Sequence, residues 1–378
     1  MTKREAFQRM LARVRSQGDV GYVLVYARRT GQIDIIVRRR TERAARAPRR
    51  GTLSVIDQSH HRHRAKRAAQ MVALHDTPGH LIRRAQQRHA LLWTREFSVD
   101  LDITSPQYAV LSVIAGQERL DQRAAGARAS LDKSSTADVV ARLEAQGWLR
   151  FAQDPADGRR KTVRLTPLAR AALKEVTSRV SLVQQRLLDS VPVEQRAPFV
   201  DALRLVAYAG NVPAPGEGSD VTLAFRDAPG HLIRRAQQVH TVAWGVEVGR
   251  TLTAPQYAVL NALWHHPEGI DQSTSGELAS LDKSSMADIV RRLVRRGWVA
   301  RERDPADARR RLLFLTDTVR EELAQLTPAV RRVQDRLLAP LADSARRELF
   351  LAGCRALGYP YEVGSPAGIH EDHDLELD

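Results

Sequence analysis

Along residues 78–99 the apolar Leu81, Ile82, Ala85 and Leu92 recur at helical spacing, and His80, Arg83, Arg84 and Gln87 form a polar stripe at i, i+3, i+4 and i+7. Asp76 or Thr77 can cap this helix, and Pro78 suits its first turn. A second helix begins at Ser105-Pro106 and carries Tyr108, Val110, Leu111 and Ile114; a short helix follows near residues 123–129. Residues 131–148 read LDKSSTADVVARLEAQGW. Asp132 caps this helix, Thr136, Val139, Val140 and Leu143 make its apolar face, and Gly147 stops it. Residues 148–152 and 162–165 read as short strands around the turn-rich DPADGRRK. Thr166-Pro167 then opens a long helix to about residue 188, and a last helix covers about residues 193–208.

The same order returns once. PGHLIRRAQQ stands at 78–87 and 229–238, PQYAVL at 106–111 and 255–260, ASLDKSS at 129–135 and 279–285, and DPAD at 154–157 and 304–307. The spacing between copies stays between 149 and 151 residues. Two copies of this length imply a duplicated domain rather than a solenoid. The second copy predicts helices over about 229–248, 254–264, 274–280, 282–296, 317–338 and 344–357, with a hairpin over 298–315. The expected organisation is a basic extension over 1–72, a first domain over 73–210, a linker over 211–225, a second domain over 226–361 and an acidic tail over 362–378. NVPAPGEGSD at 211–220 has linker composition. The extension and the tail are expected to be largely disordered.

Charge sharpens this division. The chain has 378 residues and a net charge of +15. Residues 1–70 hold 18 Lys and Arg against 5 Asp and Glu, so most of the positive charge lies outside the two copies. Residues 362–378 hold six acids and no Lys or Arg. No run of 18 apolar residues suggests a membrane span. One cysteine, Cys354, excludes an internal disulfide or a cysteine-based metal cluster and reads as a buried structural thiol. With no leader pattern at the start, the expected compartment is the cytoplasm, on the nucleoid. No catalytic constellation recurs in both copies, so no enzyme activity, metal or cofactor is expected.

Helix, short helix, exposed-face helix and two-stranded hairpin make a winged helix-turn-helix, which gives a mainly α fold with small β-wings. A helix fits the major groove of duplex DNA, and a thin hairpin can place a cation at the neighbouring minor groove. The candidate DNA contacts on the first copy are Lys133, Ser134, Ser135, Asp138 and Arg142 on the helix, with Arg159 and Arg160 at the wing. On the second copy they are Lys283, Ser284, Ser285, Asp288 and Arg292, with Arg309 and Arg310. Asp138–Arg142 and Asp288–Arg292 are spaced either for i,i+4 ion pairs or for an aspartate that orients an arginine or meets a cytosine. Asp154 or Asp157 can brace a wing arginine.

The string D-x-R-x-x-x-x-x-L-T at Asp157, Arg159, Leu165 and Thr166, repeated at Asp307, Arg309, Leu315 and Thr316, resembles the wing signature of the MarR family of bacterial regulators. LDKSS…RLEAQGW is similar to that family's recognition helix. The resemblance covers residues 75–210 and 226–360. It implies a dimer with intertwined first and last helices, here fused into one monomeric chain as an intramolecular pseudo-dimer. It also implies a ligand site between each lobe and the dimerisation helices. The chain departs from the family where a glycine often follows the wing: Pro167-Leu168-Ala169-Arg170 and Asp317-Thr318-Val319-Arg320 stand there. PGHLIRRAQQ, PQYAVL and GIDQ at 269–272 further resemble a branch controlling the breakdown of nicotinic and related aromatic acids. The first copy has Arg119-Leu120-Asp121-Gln122 at the GIDQ place. The implied protein is a regulator, in the repressor sense, of a pseudo-palindromic operator on double-stranded DNA, released by a small aromatic carboxylate. Its expected effector contacts are His80, Arg84, Gln87 and Tyr108, then His231, Arg235, Gln238 and Tyr257; the other reading of the His80, Arg84 and Gln87 stripe is a polar network at the dimer interface, and that of the two tyrosines is core filling. A nonspecific DNA-binding protein is the alternative. A recombinase-related enzyme is a further one, because residues 4–26 resemble a helix–strand segment of serine recombinases. The nucleophilic serine of that family is absent, and Thr30 ends a superficial YARRT match.

Overall fold

The computed structural model describes residues 20–27 and 33–39 by their backbone, and residues 71–97, 101–117, 120–154, 161–214, 222–305, 307 and 309–360 in full. The chain divides into two compact units, Arg62–Pro360, and Met1–His61 with Tyr361–Asp378. In the smaller unit, β1 (Val20–Ala27) and β2 (Ile33–Arg39) pair antiparallel, with Val23 opposite Val37 and Ala27 opposite Ile33. The sequence suggested one strand here, after a helix; the helix, most of the basic arm and the acidic tail lie outside the described residues.

In the larger unit the first copy runs α1 (Pro78–Phe97), α2 (Ser105–Ala115), α3 (Gln122–Arg128), α4 (Lys133–Ala145), β3 (Leu149–Gln153), β4 (Lys161–Leu165), α5 (Pro167–Leu188) and α6 (Val193–Ala207). The second copy runs α7 (Pro229–Glu247), α8 (Ala254–Trp264), β5 (Ile270–Asp271), α9 (Gln272–Ala279), α10 (Lys283–Arg295), β6 (Val299–Arg303), β7 (Arg311–Leu315), α11 (Asp317–Leu338) and α12 (Ser344–Gly358).

Local chemistry sets the boundaries. Thr104 and Gln107 form a capping box at α2, as Thr253 and Gln256 do at α8. Asp132 and Asp282 cap α4 and α10 by accepting the amides of Ser135 and Ser285. Gly147 takes φ +75°, its amide donates to the Glu144 carbonyl at 2.9 Å, and the Trp148 amide reaches Leu143 at 2.8 Å. That is the paired bonding of a Schellman stop, which needs a left-handed residue and so favours glycine. The chain can then turn straight into β3.

The wing pairs as expected, with Leu149 opposite Leu165 and Val299 opposite Leu315. A third element was not foreseen: β5 adds to β7, and Leu120 makes the equivalent single bridge to Val163. Two residues or fewer carry no readable alternation.

The long helices of the two copies interlock. Leu81, Ile82, Val183, Leu203, Leu232, Ile233, Phe350 and Leu357 belong to one buried cluster that continues into the first lobe. The second lobe has its own cluster around Tyr257, Leu260 and Val290. Across the pseudo-two-fold, Gln334 accepts the Gly79 amide at 3.1 Å and Gln184 accepts the Gly230 amide at 2.7 Å. Each first helix thus has one open N-terminal amide satisfied by the other copy's long helix. Phe199 and Phe350 approach to 6.5 Å between ring centroids. The intramolecular pseudo-dimer is therefore the fold.

Candidate DNA interface and effector cavity

Both recognition helices, α4 and α10, bury one narrow face. Thr136, Val140 and Leu143 face the first lobe, and Met286, Val290 and Leu293 the second. Val139, expected on the buried face, is half-buried. Lys133, Ser134, Asp138 and Arg142 are exposed, as are Lys283, Ser284 and Arg292; Ser135, Ser285 and Asp288 are half-exposed. The caps hold their serines firmly. Asp132 accepts the hydroxyls of Ser134 and Ser135, each at 2.7 Å, and these bonds, with that of the Ser135 amide, keep its carboxyl well below the usual carboxylate range. Asp282 accepts Ser285 through hydroxyl and amide at 2.6 and 2.9 Å, and its carboxyl is likewise lowered.

The charge pairing on α10 differs from the expected i,i+4 pair. Asp288 meets Arg291 at i,i+3, 2.8 Å away, rather than Arg292. Arg159 and Arg160 lie outside the described residues. In the second wing Arg310 binds Asp271 at 2.7 Å and approaches Asp304 at 3.6 Å. It thereby ties the wing to the cap of α9. The Arg309 amide donates to Asp307 at 3.0 Å.

The polar stripe of each first helix crosses to the opposite lobe. Arg84 donates to the Ser280 hydroxyl at 2.7 Å and to the Gly358 carbonyl at 3.0 Å, Gln87 donates to the Ser280 carbonyl at 2.7 Å, and Arg83 donates to the Ala279 carbonyl. The mirror set joins Arg235 to the Ser130 hydroxyl, Gln238 to the Ser130 carbonyl at 2.6 Å, and Arg234 to the Ala129 and Ser130 carbonyls at 2.8 and 3.1 Å. Ser130 and Ser280 take φ +57° and +52°, a left-handed conformation unusual for serine. Each lies two residues before a recognition-helix cap. The opposite copy therefore holds the strained corner from which each recognition helix starts. Arg84 and Arg235 also cover the rings of Tyr359 and Tyr208, at 3.7 and 4.2 Å. Burial pushes the Arg83 and Arg234 guanidinium groups down to about 10.

Where the first lobe meets the helices lies a cavity of about 20 Å³, little more than one water. His89, Trp93, Tyr108, Phe225, His231 and Arg234 line it. His231 stacks on Phe225 at 4.7 Å and accepts from Arg234 through Nδ1 at 3.1 Å. The Tyr108 hydroxyl accepts the Leu223 amide at 3.2 Å. Both ring nitrogens of His89 are buried without a hydrogen-bond partner among the described residues, and burial lowers this imidazole to about 4. Among the expected effector residues, Tyr108 and His231 meet here, while Arg235 and Gln238 turn to Ser130. In the other copy, Arg83 donates to His80 at 2.9 Å and Tyr359 lies 3.2 Å from its Nε2. Arg84 and Gln87 turn to Ser280. Tyr257 is buried in a cluster that includes Met71 and Leu74. Sequence reasoning missed Arg83 and Arg234 as interface residues, and missed Ser130 and Ser280 altogether. The signal was there: ASLDKSS and PGHLIRRAQQ are both kept unchanged in the two copies, and they are the segments that meet.

Two lobes with exposed recognition helices and basic wings on a helical scaffold define a winged-helix DNA-binding transcription regulator. Residues 101–160 and 252–310 each match the MarR family. The transcriptional regulator HosA of Escherichia coli O111:H- is 38% identical over 129 residues, covering 34% of this chain and 93% of HosA. The chain belongs to the MarR family. The HTH-type transcriptional repressor NicR of Pseudomonas putida is 29% identical over 118 residues, 31% of this chain and 74% of NicR. A solved structure of the PcaV regulator from Streptomyces coelicolor, in complex with its natural ligand, shows 43% identity over 36% of this chain and 95% of that one, with a TM-score of 0.35. Among the described residues no helix is long and apolar enough to cross a membrane, and no cluster of His, Cys, Asp and Glu could hold a metal ion.

Proposed function

We propose that this chain represses transcription from a pseudo-palindromic operator on the nucleoid and lets go when a small aromatic carboxylate enters the first-copy cavity. One observation carries the reading. Arg234 lines the cavity and also donates to the Ala129 and Ser130 carbonyls, the corner from which α4 starts. A carboxylate is a stronger acceptor than a carbonyl and suits the guanidinium fork. Binding it draws Arg234 off the corner, and α4 loses its brace. Trp93, Tyr108 and Phe225 supply apolar walls for an aromatic ring. The cavity must widen to admit one, so binding and movement are coupled. His80, Arg84, Gln87, Arg235 and Gln238 belong to the same framework and set the cost of the movement, while Tyr257 sits in the core of the second lobe.

On DNA, Lys133, Ser134, Ser135, Asp138 and Arg142 enter one major groove and Lys283, Ser284, Ser285, Asp288 and Arg292 the next, with Arg159, Arg160 and Arg309 at the flanking minor grooves, while Arg310 braces the second wing through Asp271. The repressor sense agrees with the name of the relative NicR. A calorimetric screen of benzoate, hydroxybenzoates and pyridine carboxylates tests the ligand. A binder should loosen operator DNA by roughly 5- to 150-fold, and Arg234→Ala should abolish that response. Equal ligand binding by wild type and variant would remove Arg234 from the site. Competition with excess random duplex separates a specific regulator from a nonspecific DNA-binding protein.

A further inference from the structure

The recognition helices are alike over their N-terminal turns and unlike toward their C-terminal ends. Their N-terminal positions outside the core, Lys-Ser-Ser and Ala-Asp, are the same in both; the change from Thr136 to Met286 is buried. From the third turn they diverge. α4 presents Ala141, Glu144 and Ala145 to solvent, while α10 presents Arg291 and Arg295 at the first and last of these places, with Val294 between them. Within its bounds α4 carries Lys133 and Arg142 against Asp138 and Glu144, a balance of zero. α10 carries Lys283, Arg291, Arg292 and Arg295 against Asp288, a balance of +3. One more difference does not face DNA: Arg296 replaces Gln146, but it donates to the Thr251 carbonyl at 2.7 Å and covers the Trp298 ring at 3.6 Å.

A recognition helix reads bases from its N-terminal residues. Basic side chains further along meet the phosphates at the groove edge, which hold the protein in place without carrying sequence. Arg291, two-thirds exposed and steered by Asp288, and Arg295, in the last turn, are placed for the backbone. At the same height on α4, Glu144 repels it.

Building on the DNA-binding reading above, we infer that the two lobes grip DNA unequally: the C-terminal lobe docks on the phosphates of any duplex, and the N-terminal lobe docks only where its half-site is present. The chain then travels on one lobe and commits the second at the operator. A homodimer of identical lobes cannot divide the work in this way.

The test uses the full chain, with the basic extension kept constant, on two probes: a random-sequence duplex pool, and the duplexes recovered from that pool by repeated selection. Arg291→Ala/Arg295→Ala should weaken binding to the random pool and lower the slope of log affinity against log salt by up to about 1.8, at about 0.9 per phosphate contact. Lys133→Ala/Arg142→Ala removes the same charge from the other lobe. It should weaken random-pool binding less, and lower the salt slope less, than the Arg291/Arg295 pair does, while weakening binding to the selected duplexes. Ala141→Arg/Ala145→Arg should strengthen random binding and steepen the slope, a gain that misfolding cannot imitate. Equal losses on the random pool from the two alanine pairs, or no gain from the arginine pair, would overturn the inference. A selection that enriches no sequence would instead defeat the operator reading, and the random-pool comparison would still decide the inequality of the lobes.

Discussion

The Nε2 tips of His240 and His89 abut Gly79 and Gly230 across the pseudo-two-fold; a Cβ on either glycine would come within 2.2 Å of Nε2. Gly79→Ala should therefore cost about 1–3 kcal/mol of stability through overpacking. Adding His240→Ala should recover part of it, a non-additivity that chemical denaturation can measure. The same burial sets a pH dependence. Burial lowers His89 and His240 to about 4, below their ordinary 6.5, and lowers His80 and His231 as well. The unfolded chain then binds more protons than the folded one between about pH 6.5 and pH 4, so stability falls as the pH drops through that window. By pH 5 the first two rings should each cost about 2 kcal/mol. Melting curves at pH 7 and pH 5 check this: His89→Gln/His240→Gln should flatten the difference, and an undiminished difference would acquit these rings. At the wing, Arg309→Ala should weaken operator binding by about 1–3 kcal/mol, as for a good arginine contact, with the melting temperature unchanged.

At the scale of elements, Thr166 follows β4 directly and joins the end of α4 to the start of α5. Its hydroxyl donates to the Gly147 carbonyl at 2.7 Å, where α4 stops, and accepts the Ala169 amide at 3.2 Å, where α5 begins. Thr166→Val should cost about 1 kcal/mol of stability, the usual cost of a lost N-cap, and loosen the first wing. An unchanged melting temperature would show that Pro167 alone starts the helix. Such junctions were legible in the sequence because their signals are local: Asp132, Gly147 and Thr166-Pro167 mark boundaries within a few residues of themselves. The bridge at Leu120 and the two-residue β5 were not legible, because their pairing depends on where a distant strand lies. The stripe of His80, Arg84 and Gln87 was visible as a stripe, but its destination was not. Its partners lie about 200 residues away, and charge and spacing on one helix suit an interface and a ligand equally well. The Arg291 pair was missed because three- and four-residue spacings compete on any helix, and rotamer and packing decide between them.

For the whole molecule, the interlocked helices make one chain the equivalent of a dimer. One chain should bind one short operator duplex, with recognition helices about one helical turn, roughly 34–36 Å, apart. Light scattering of the complex tests this, and two chains on one such duplex would defeat the arrangement. The covalent joint between α6 and α7 also alters what inheritance can do. When a homodimer's gene changes one codon, both reading heads change together, and a partly altered operator loses contact on both sides. Here each head has its own codons. Ala141 and Arg291 have already parted company while Ser134 and Ser284 have not. One head can drift toward a new half-site while the other keeps the old one, so the fusion opens stepwise routes to unlike half-sites that are closed to a symmetric ancestor.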